Sequence, residues 1–246
     1  MQKRGGNQFP NSLPLTSLPL DTGRFSLANR IDITATDGHT FTAWHAATDG
    51  APIGGIIFLQ AIYGLTDHLG DVCDWFARDG YSAIAPATYD RTERNKVFAY
   101  DDQGGMTFRE NLEEETVLLD IEACAALLRE TADRIAISGF CTGGTWAWIA
   151  ADRLDMDALV VFYGSDIHDN LDRRPKCPGI LHYGDADHVV PLKTVHKIRD
   201  TYPDTEFHIY PGAGHAFYNP EQANHDVDAA GLAHQRSIEF LNQQFA

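Results

Sequence analysis

The sequence predicts a three-layer α/β fold, with a mostly parallel β-sheet and helices on both faces. Short apolar runs recur along the chain without polar alternation. Such runs are typical of strands that are buried on both faces. Segments of helical length separate them, and this alternation favours a parallel sheet with right-handed crossovers. In such sheets, ligand sites lie beyond the carboxyl ends of the strands.

The elements follow from local patterns. Residues 31–36 and 40–45 flank the turn signal Asp37-Gly38 and predict an N-terminal hairpin. The further strands are predicted at the apolar runs 56–59, 83–85, 135–137, 158–162, 180–183 and 207–210. Helices are predicted at 69–78, 109–130, 142–153, 192–201 and from about 222 to 245. The helix at 109–130 has the clearest pattern, because its apolar residues recur near a period of 3.6.

Composition excludes several classes of function. The chain has 246 residues, of which 43% are hydrophobic and 22% charged, as in ordinary globular proteins. Its net charge of −16 makes binding to nucleic acid or to an anionic membrane surface unfavourable. No apolar run approaches the roughly 18 residues of a membrane-spanning helix. Neither nucleic acid nor a membrane is therefore expected as a partner.

The domain organisation is simple. Residues 1–23 contain Pro10, Pro14 and Pro19 and little periodicity, which predicts an extended arm and argues against a secretory signal. Residues 24–246 contain no long linker or repeat and are predicted to form a single α/β domain. The four cysteines include no C-x-x-C pair, so neither a disulfide framework nor a metal site is indicated. We expect a cytoplasmic protein.

One segment carries a chemical signal. After the buried run at 135–137 comes Gly139-Phe-Cys-Thr-Gly143, directly before a predicted helix. This is the nucleophile-elbow pattern G-x-S-x-G with cysteine in place of serine. A tight strand-to-helix turn crowds the positions two before and two after the nucleophile, which favours glycine there. Cys141 is thus predicted as the nucleophile at a helix N-terminus, and the backbone N–H of Thr142 as an oxyanion donor.

An acid and a base are needed after the nucleophile, in that order. Asp185 and Asp187 follow the run at 180–183, and His215 follows the run at 207–210. All these residues come directly after strands, so they are expected at one edge of the sheet. Asp166 and His168 follow another strand and are expected at the surface or the pocket wall.

These motifs together resemble the dienelactone hydrolase family of α/β-hydrolases, from about residue 54 to the C-terminus. The resemblance rests on Gly139-Phe-Cys-Thr-Gly-Gly144, Gly184-Asp-Ala-Asp-His-Val-Val-Pro191, Gly214-His-Ala-Phe217 and Gln60-Ala-Ile-Tyr-Gly64. It implies an α/β-hydrolase fold and a carboxymethylenebutenolidase-like activity without metal or cofactor. It also implies a Cys141–His215–Asp187 triad, with the N–H groups of Ile62 and Thr142 as the oxyanion hole.

Two positions depart from the family pattern. Dienelactone-cleaving members have Gln-Glu-Ile-Phe-Gly where this chain has Gln60-Ala-Ile-Tyr-Gly64, and their glutamate partners the resting thiol. Ala61 cannot do so. Those members also carry an arginine four residues after the catalytic histidine, where this chain has Asn219. Both departures argue against dienelactone itself as the substrate, while the triad is retained.

Substrate contacts are predicted less directly. Arg91 and Arg94 lie after a strand and form part of the densest basic group of the chain, so they are candidates for an anion clamp. The alternative is a solvated loop. Tyr63, Tyr89 and Asn219 are the other candidates for the pocket wall.

The sequence therefore predicts a hydrolase that cleaves a small carboxylic ester or lactone through an acyl-cysteine intermediate. Two alternatives belong to other classes. One is a redox-responsive protein in which the thiol of Cys141 is oxidised. The other is a non-catalytic protein that binds a ligand in the same pocket.

Overall fold

The computed structural model of the chain describes residues 26–246. An eight-stranded sheet forms its centre, in the order β1-β2-β4-β3-β5-β6-β7-β8. The strands are β1 (Asn29–Thr34), β2 (Thr40–Ala46), β3 (Gly54–Leu59), β4 (Tyr81–Pro86), β5 (Ile135–Phe140), β6 (Ala158–Phe162), β7 (Gly179–Gly184) and β8 (Glu206–Tyr210). The predicted arm at 1–23 lies outside the described residues.

Helices cover both faces of the sheet. They are α1 (Asp67–Arg78), α2 (Gly104–Glu110), α3 (Glu114–Leu128), α4 (Thr142–Arg153), α5 (Leu192–Thr201) and α6 (Val227–Gln244). On one face α3 and α4 pack against each other and against β3. On the other face, α1 and α6 meet where the rings of Phe76 and His234 lie 4.8 Å apart. The predicted three-layer α/β architecture is confirmed.

The sheet is parallel except at its N-terminal edge. The predicted hairpin is present, with β1 antiparallel to β2 and β2 antiparallel to β4. From β4 to β8 all pairs are parallel. Strands β3 to β7 are buried along their entire length, which explains why their sequences show no polar alternation. The loops that follow the parallel strands therefore lie at the same edge of the sheet.

The predicted helix at 109–130 is wrong as a single element. Helix α2 ends at Glu110, and α3 begins at Glu114 after a short break. Asn111 is the C-cap of α2, and asparagine is a weak helix former, which is consistent with a break here. Glu113 has extended backbone angles and caps α3, so the acidic run that follows lies at the positive end of the helix dipole. The break allows α2 to lie over the functional edge of the sheet.

The predicted C-terminal helix begins later than expected, at Val227. Asp226 sets this start, because its carboxylate accepts a hydrogen bond from the Ala229 N–H at 3.0 Å.

Within residues 26–246, no helix has both the length and the apolar character needed to cross a membrane.

Candidate active site

Cys141 lies on the sharp turn between β5 and α4. Its backbone angles are φ 54° and ψ −119°, which are strained for a residue with a side chain. Hydrogen bonds hold this conformation on both sides. The Cys141 N–H donates to the carbonyl of Phe162 at 3.1 Å, and the Cys141 carbonyl accepts from Gly144 at 3.0 Å and Ser165 at 3.1 Å. The turn therefore presents the half-buried thiol at the N-terminus of α4.

Two glycines make this turn possible. A Cβ atom at Gly139 would collide with the carbonyl of Gly143, and one at Gly143 would collide with the carbonyl of Leu59 at the end of β3. The close packing of Gly143 brings the loop after β3 beside the thiol. This loop contains Ile62, whose N–H the resemblance places in the oxyanion hole.

The two N–H groups predicted to form the oxyanion hole are available to donate hydrogen bonds to a ligand, within the part of the chain that the structure describes. Neither the Ile62 N–H nor the Thr142 N–H donates a hydrogen bond to another group within residues 26–246. Thr142 is the first residue of α4, so its N–H has no partner in the helix. The Tyr89 hydroxyl lies 3.0 Å from the carbonyl oxygen of Ile62 and 3.1 Å from that of Gly105. Tyr89 thus anchors the Ile62 peptide from behind.

His215 and Asp187 form a hydrogen-bonded pair. Nδ1 of His215 lies 2.8 Å from Oδ2 of Asp187, whose side chain is fully buried. The other carboxylate oxygen accepts from the N–H groups of Val189 at 2.7 Å and Val190 at 2.9 Å. Since the carboxylate is an acceptor, Nδ1 carries a proton. Asp185, the alternative acid, instead accepts from the Gly212 N–H at 2.6 Å.

The remaining nitrogen of His215 faces the thiol. Nε2 is buried and has no hydrogen bond of normal geometry within residues 26–246. Burial alone would lower the pKa of His215, but the hydrogen bond to Asp187 and the electrostatic interaction with the nearby Cys141 sulfur raise it to about 10. The ring of Tyr163 packs edge-on against the imidazole, with 5.0 Å between centroids. The imidazole is thus positioned between a carboxylate and a sulfur.

A cavity of about 440 Å³ opens onto these groups. Cys141 and His215 both line it, as do Ala61 and Ile62. Its other walls come from the loop after β3, from α1 and α2, and from the loops after β6, β7 and β8. Among these lining residues are Tyr63, His68, Tyr100, Met106, Arg109, Tyr163, Ser165, Asp166, His168, Val189 and Asn219. The volume is suited to a small organic molecule.

Comparison with known proteins decides the family. The model of the dienelactone hydrolase family matches residues 41–245. The chain belongs to the dienelactone hydrolase family. It is 28% identical over 227 residues to a carboxymethylenebutenolidase of Pseudomonas putida, covering 87% of this chain and 96% of that one.

Solved structures agree with this family. A crystal structure from Klebsiella pneumoniae assigned as a dienelactone hydrolase has a TM-score of 0.78 and 28% identity, covering 88% of this chain and 98% of that one. A dienelactone hydrolase-like phosphotriesterase from metagenomic libraries shares the fold, with a TM-score of 0.73 and 18% identity, over 89% of this chain and all of that one. The expectation of an α/β-hydrolase of the dienelactone hydrolase type is confirmed.

The arginines predicted as an anion clamp lie outside the cavity of this family member. Arg91 binds Asp120 through two hydrogen bonds of 2.9 and 2.7 Å, and also Asp37 at 2.8 Å. Arg94 pairs with Asp32 at 2.5 Å. Acidic residues of α3 and of the N-terminal hairpin therefore hold both guanidinium groups. Neither residue lines the cavity, and their observed contacts are ion pairs within the fold.

Of the aromatic and amide residues predicted to line the pocket, two line the cavity and one does not. Tyr63 lines the cavity, whereas Tyr89 is buried behind the Ile62 loop and does not. Asn219 lines it, and its Nδ2 donates to the Tyr100 hydroxyl at 3.1 Å while its Oδ1 accepts from the Glu221 N–H at 2.9 Å. Ala61 also lines the cavity and brings no carboxylate to the thiol.

Two charged residues of the cavity were missed as binding candidates. Arg109 and Asp166 form an ion pair of 2.6 Å that lines the cavity. Arg109 was hidden inside the apparent single helix at 109–130, and only the break after α2 places it at the site. Asp166 had a weak signal, because its loop follows a buried strand at the functional edge.

Proposed function

We propose that this member of the family hydrolyses a small carboxylic ester or lactone, with Cys141 as nucleophile, His215 as acid and base, and Asp187 as the orienting acid. One observation carries the proposal. Cys141 on its strained turn, His215 with its buried partner Asp187, and Ile62 of the loop after β3 come together at one cavity, and the N–H groups of Ile62 and Thr142 have no partner within residues 26–246. Acyl transfer requires these groups together.

The first step is attack of the Cys141 sulfur on the substrate carbonyl. We infer that a thiolate beside an imidazolium is the reacting form, because the hydrogen bond to Asp187 helps to raise the pKa of His215. The sulfur forms a bond to the carbonyl carbon, and the Ile62 and Thr142 N–H groups stabilise the oxyanion. The carbon–oxygen bond of the leaving group then breaks, and His215 gives that oxygen its proton. An acyl-cysteine and a neutral imidazole result.

Deacylation restores the pair. Once the sulfur is acylated, its negative charge no longer supports the imidazolium, so neutral His215 can remove a proton from water. The hydroxide attacks the thioester carbon, the carbon–sulfur bond breaks, and the carboxylic acid leaves. Thiolate and imidazolium are regenerated. Asp187 keeps the proton on Nδ1 throughout, so that Nε2 exchanges protons with the reacting atoms.

Intact-protein mass spectrometry with 4-nitrophenyl acetate tests this proposal, with release of nitrophenol followed in the same sample. We expect a transient acetyl adduct on Cys141 that turns over, and no adduct in Cys141→Ala. Cys177→Ala is the matched control, because Cys177 is also a half-buried free cysteine, but burial raises the pKa of its thiol. That variant should keep the wild-type adduct and rate.

The other outcomes identify the alternative functions. A stable adduct without turnover would contradict hydrolysis and favour a sensor thiol. Absence of any adduct in the folded wild-type protein would contradict a nucleophilic Cys141 and favour a ligand-binding role for the cavity.

A further inference from the structure

Outside the proposed catalytic pair, the wall of the cavity carries one arginine and one aspartate, and these two side chains form an ion pair. Among the lining residues of the described chain, Arg109 is the only lysine or arginine and Asp166 the only aspartate or glutamate. Their 2.6 Å ion pair has side chains 29% and 27% exposed, so it faces the cavity without being free in solvent. The guanidinium that could bind a substrate carboxylate is already compensated.

Asp166 is held rigidly in this arrangement. Its N–H donates to Oγ1 of Thr145 at 3.0 Å, and its carbonyl accepts from the Asn170 side chain at 2.9 Å. The Ser165 hydroxyl donates to the same Oδ2 that binds Arg109, at 2.5 Å. Because hydrogen bonds hold both the backbone and the side chain of Asp166, its carboxylate fixes the position of the Arg109 guanidinium.

Apart from the proposed Cys141–His215 pair, no second lysine or arginine of the described residues adds positive charge to the cavity wall. Glu221 hydrogen-bonds to the hydroxyl of Tyr100, which is a lining residue, and the whole chain carries a net charge of −16. Lys197 lies nearby but donates to the carbonyl of His168 at 3.3 Å and does not line the cavity. An anionic substrate would therefore meet a site whose local and global fields do not attract it.

The cavity does offer uncharged hydrogen-bonding groups. His68 is buried in its wall, and Nε2 of this residue has no partner among the described residues. Burial lowers the pKa of His68 to about 3, so its imidazole is neutral. A neutral polar ligand could satisfy this nitrogen without bringing a charge into the site.

We propose that Asp166 is a specificity-determining residue, which neutralises Arg109 and thereby selects uncharged esters or lactones over those that carry a free carboxylate. This inference rests on the proposed function of Cys141 and names its substrate class. Asp166 acts through Arg109 and is a positioning residue. Removal of its charge would leave Arg109 available to bind an anionic substrate.

The test uses a matched pair of esters, mono-4-nitrophenyl adipate and its methyl ester. For the wild-type enzyme we expect kcat/KM for the neutral ester to exceed that for the anionic one by about tenfold, which corresponds to about 1.4 kcal/mol. Asp166→Asn should shift this ratio by about tenfold or more toward the anion, mainly through KM. Asp166→Glu keeps the charge and should retain the wild-type ratio, which a purely structural role would not predict.

The gain for the anionic ester in Asp166→Asn should require the guanidinium of Arg109. In Asp166→Asn combined with Arg109→Met, the gain for the anionic ester should disappear. A wild-type enzyme that prefers the anionic ester would overturn the proposal without any variant. So would a folded Asp166→Asn variant with an unchanged ratio.

Binding measurements distinguish a failure of the specificity proposal from a failure of the catalytic proposal. In a Cys141→Ala background, calorimetry with adipic acid mono-anilide and its methyl ester should show the same preference and the same shift with Asp166→Asn. If the wild-type enzyme turns over neither ester but the binding preference is present, only the catalytic proposal fails. If turnover is normal but neither kinetics nor binding favours the neutral member, only the specificity proposal fails.

Discussion

At the scale of single residues, the environment of His215 determines how the thiol can react. Its Nδ1 is fixed by the buried carboxylate of Asp187, and its Nε2 lies beside Cys141. Ala61 lines the cavity together with Cys141 and brings no acidic side chain to the thiol. The thiol is therefore expected to be activated by His215 directly.

The pH dependence of alkylation tests this activation. With iodoacetamide, we expect Cys141 to react at pH 6 at a rate within about threefold of its rate at pH 8, because the imidazolium stabilises the thiolate. In His215→Gln the rate at pH 6 should collapse, since an ordinary thiol is only about 0.3% ionised there. Mapping of the label by peptide mass spectrometry separates Cys141 from the other cysteines. A wild-type profile that follows an ordinary thiol would refute direct activation.

At the scale of elements, the turn between β5 and α4 depends on contact with the end of β3. Gly143 lies in the first turn of α4, directly against the carbonyl of Leu59. Because the obstacle is backbone, a larger residue can be accommodated only if the helix or the strand moves. Such a movement would separate the Thr142 N–H from the Ile62 N–H, which belong to the two elements in contact.

Gly143→Ala should therefore impair both folding and activity. We expect the free energy of unfolding in urea to fall by about 1–3 kcal/mol, as in other overpacked sites, and kcat/KM for 4-nitrophenyl acetate to fall by about 100-fold, as when an oxyanion donor is lost. The control is Gly231→Ala in α6, where an added Cβ meets no atom within 4 Å. That variant should gain up to about 1 kcal/mol and keep full activity. Equal effects at the two positions would contradict the argument.

The features that the sequence predicts correctly are local, whereas contacts between distant parts of the chain are not predicted. The order of strands, the glycine spacing around Cys141 and the positions of Asp187 and His215 are local patterns, so they predict which groups reach the edge of the sheet. The partners of Arg91 are not local, since Asp120 and Asp37 lie 29 and 54 residues away. No periodicity shows that these carboxylates meet the guanidinium. The break between α2 and α3 was likewise hidden, because Leu112 continues the apolar pattern across it.

At the scale of the whole molecule, burial and pairing of histidines make stability depend on pH in two directions. Burial lowers the pKa of His68 and His182, so the unfolded chain binds more protons than the folded one below pH 6.5. The free energy of unfolding should therefore decrease as the pH falls below that value. His215 has the opposite sign, because its pKa is raised to about 10 in the folded protein. Its contribution is complete below pH 6.5 and is lost as the pH rises toward 10.

Urea unfolding of Cys141→Ala and of Cys141→Ala/His215→Gln tests the alkaline side. The thiol is removed because an unfolded thiol would hold the proton that a folded thiolate has released, and this would cancel the effect of His215. Between pH 6.5 and 8 the folded Cys141→Ala protein should keep a proton on His215, held by Asp187, that the unfolded chain has released. The stability advantage of Cys141→Ala over the double variant should therefore shrink by up to about 1.4 kcal/mol per pH unit. The window stops at pH 8 because the raised pKa values of the buried thiols of Cys73 and Cys124 add a similar slope in both proteins at higher pH. An advantage that stays constant or grows across this range would mean that His215 is neutral in the folded enzyme, and attack would then require His215 to remove the thiol proton during acylation.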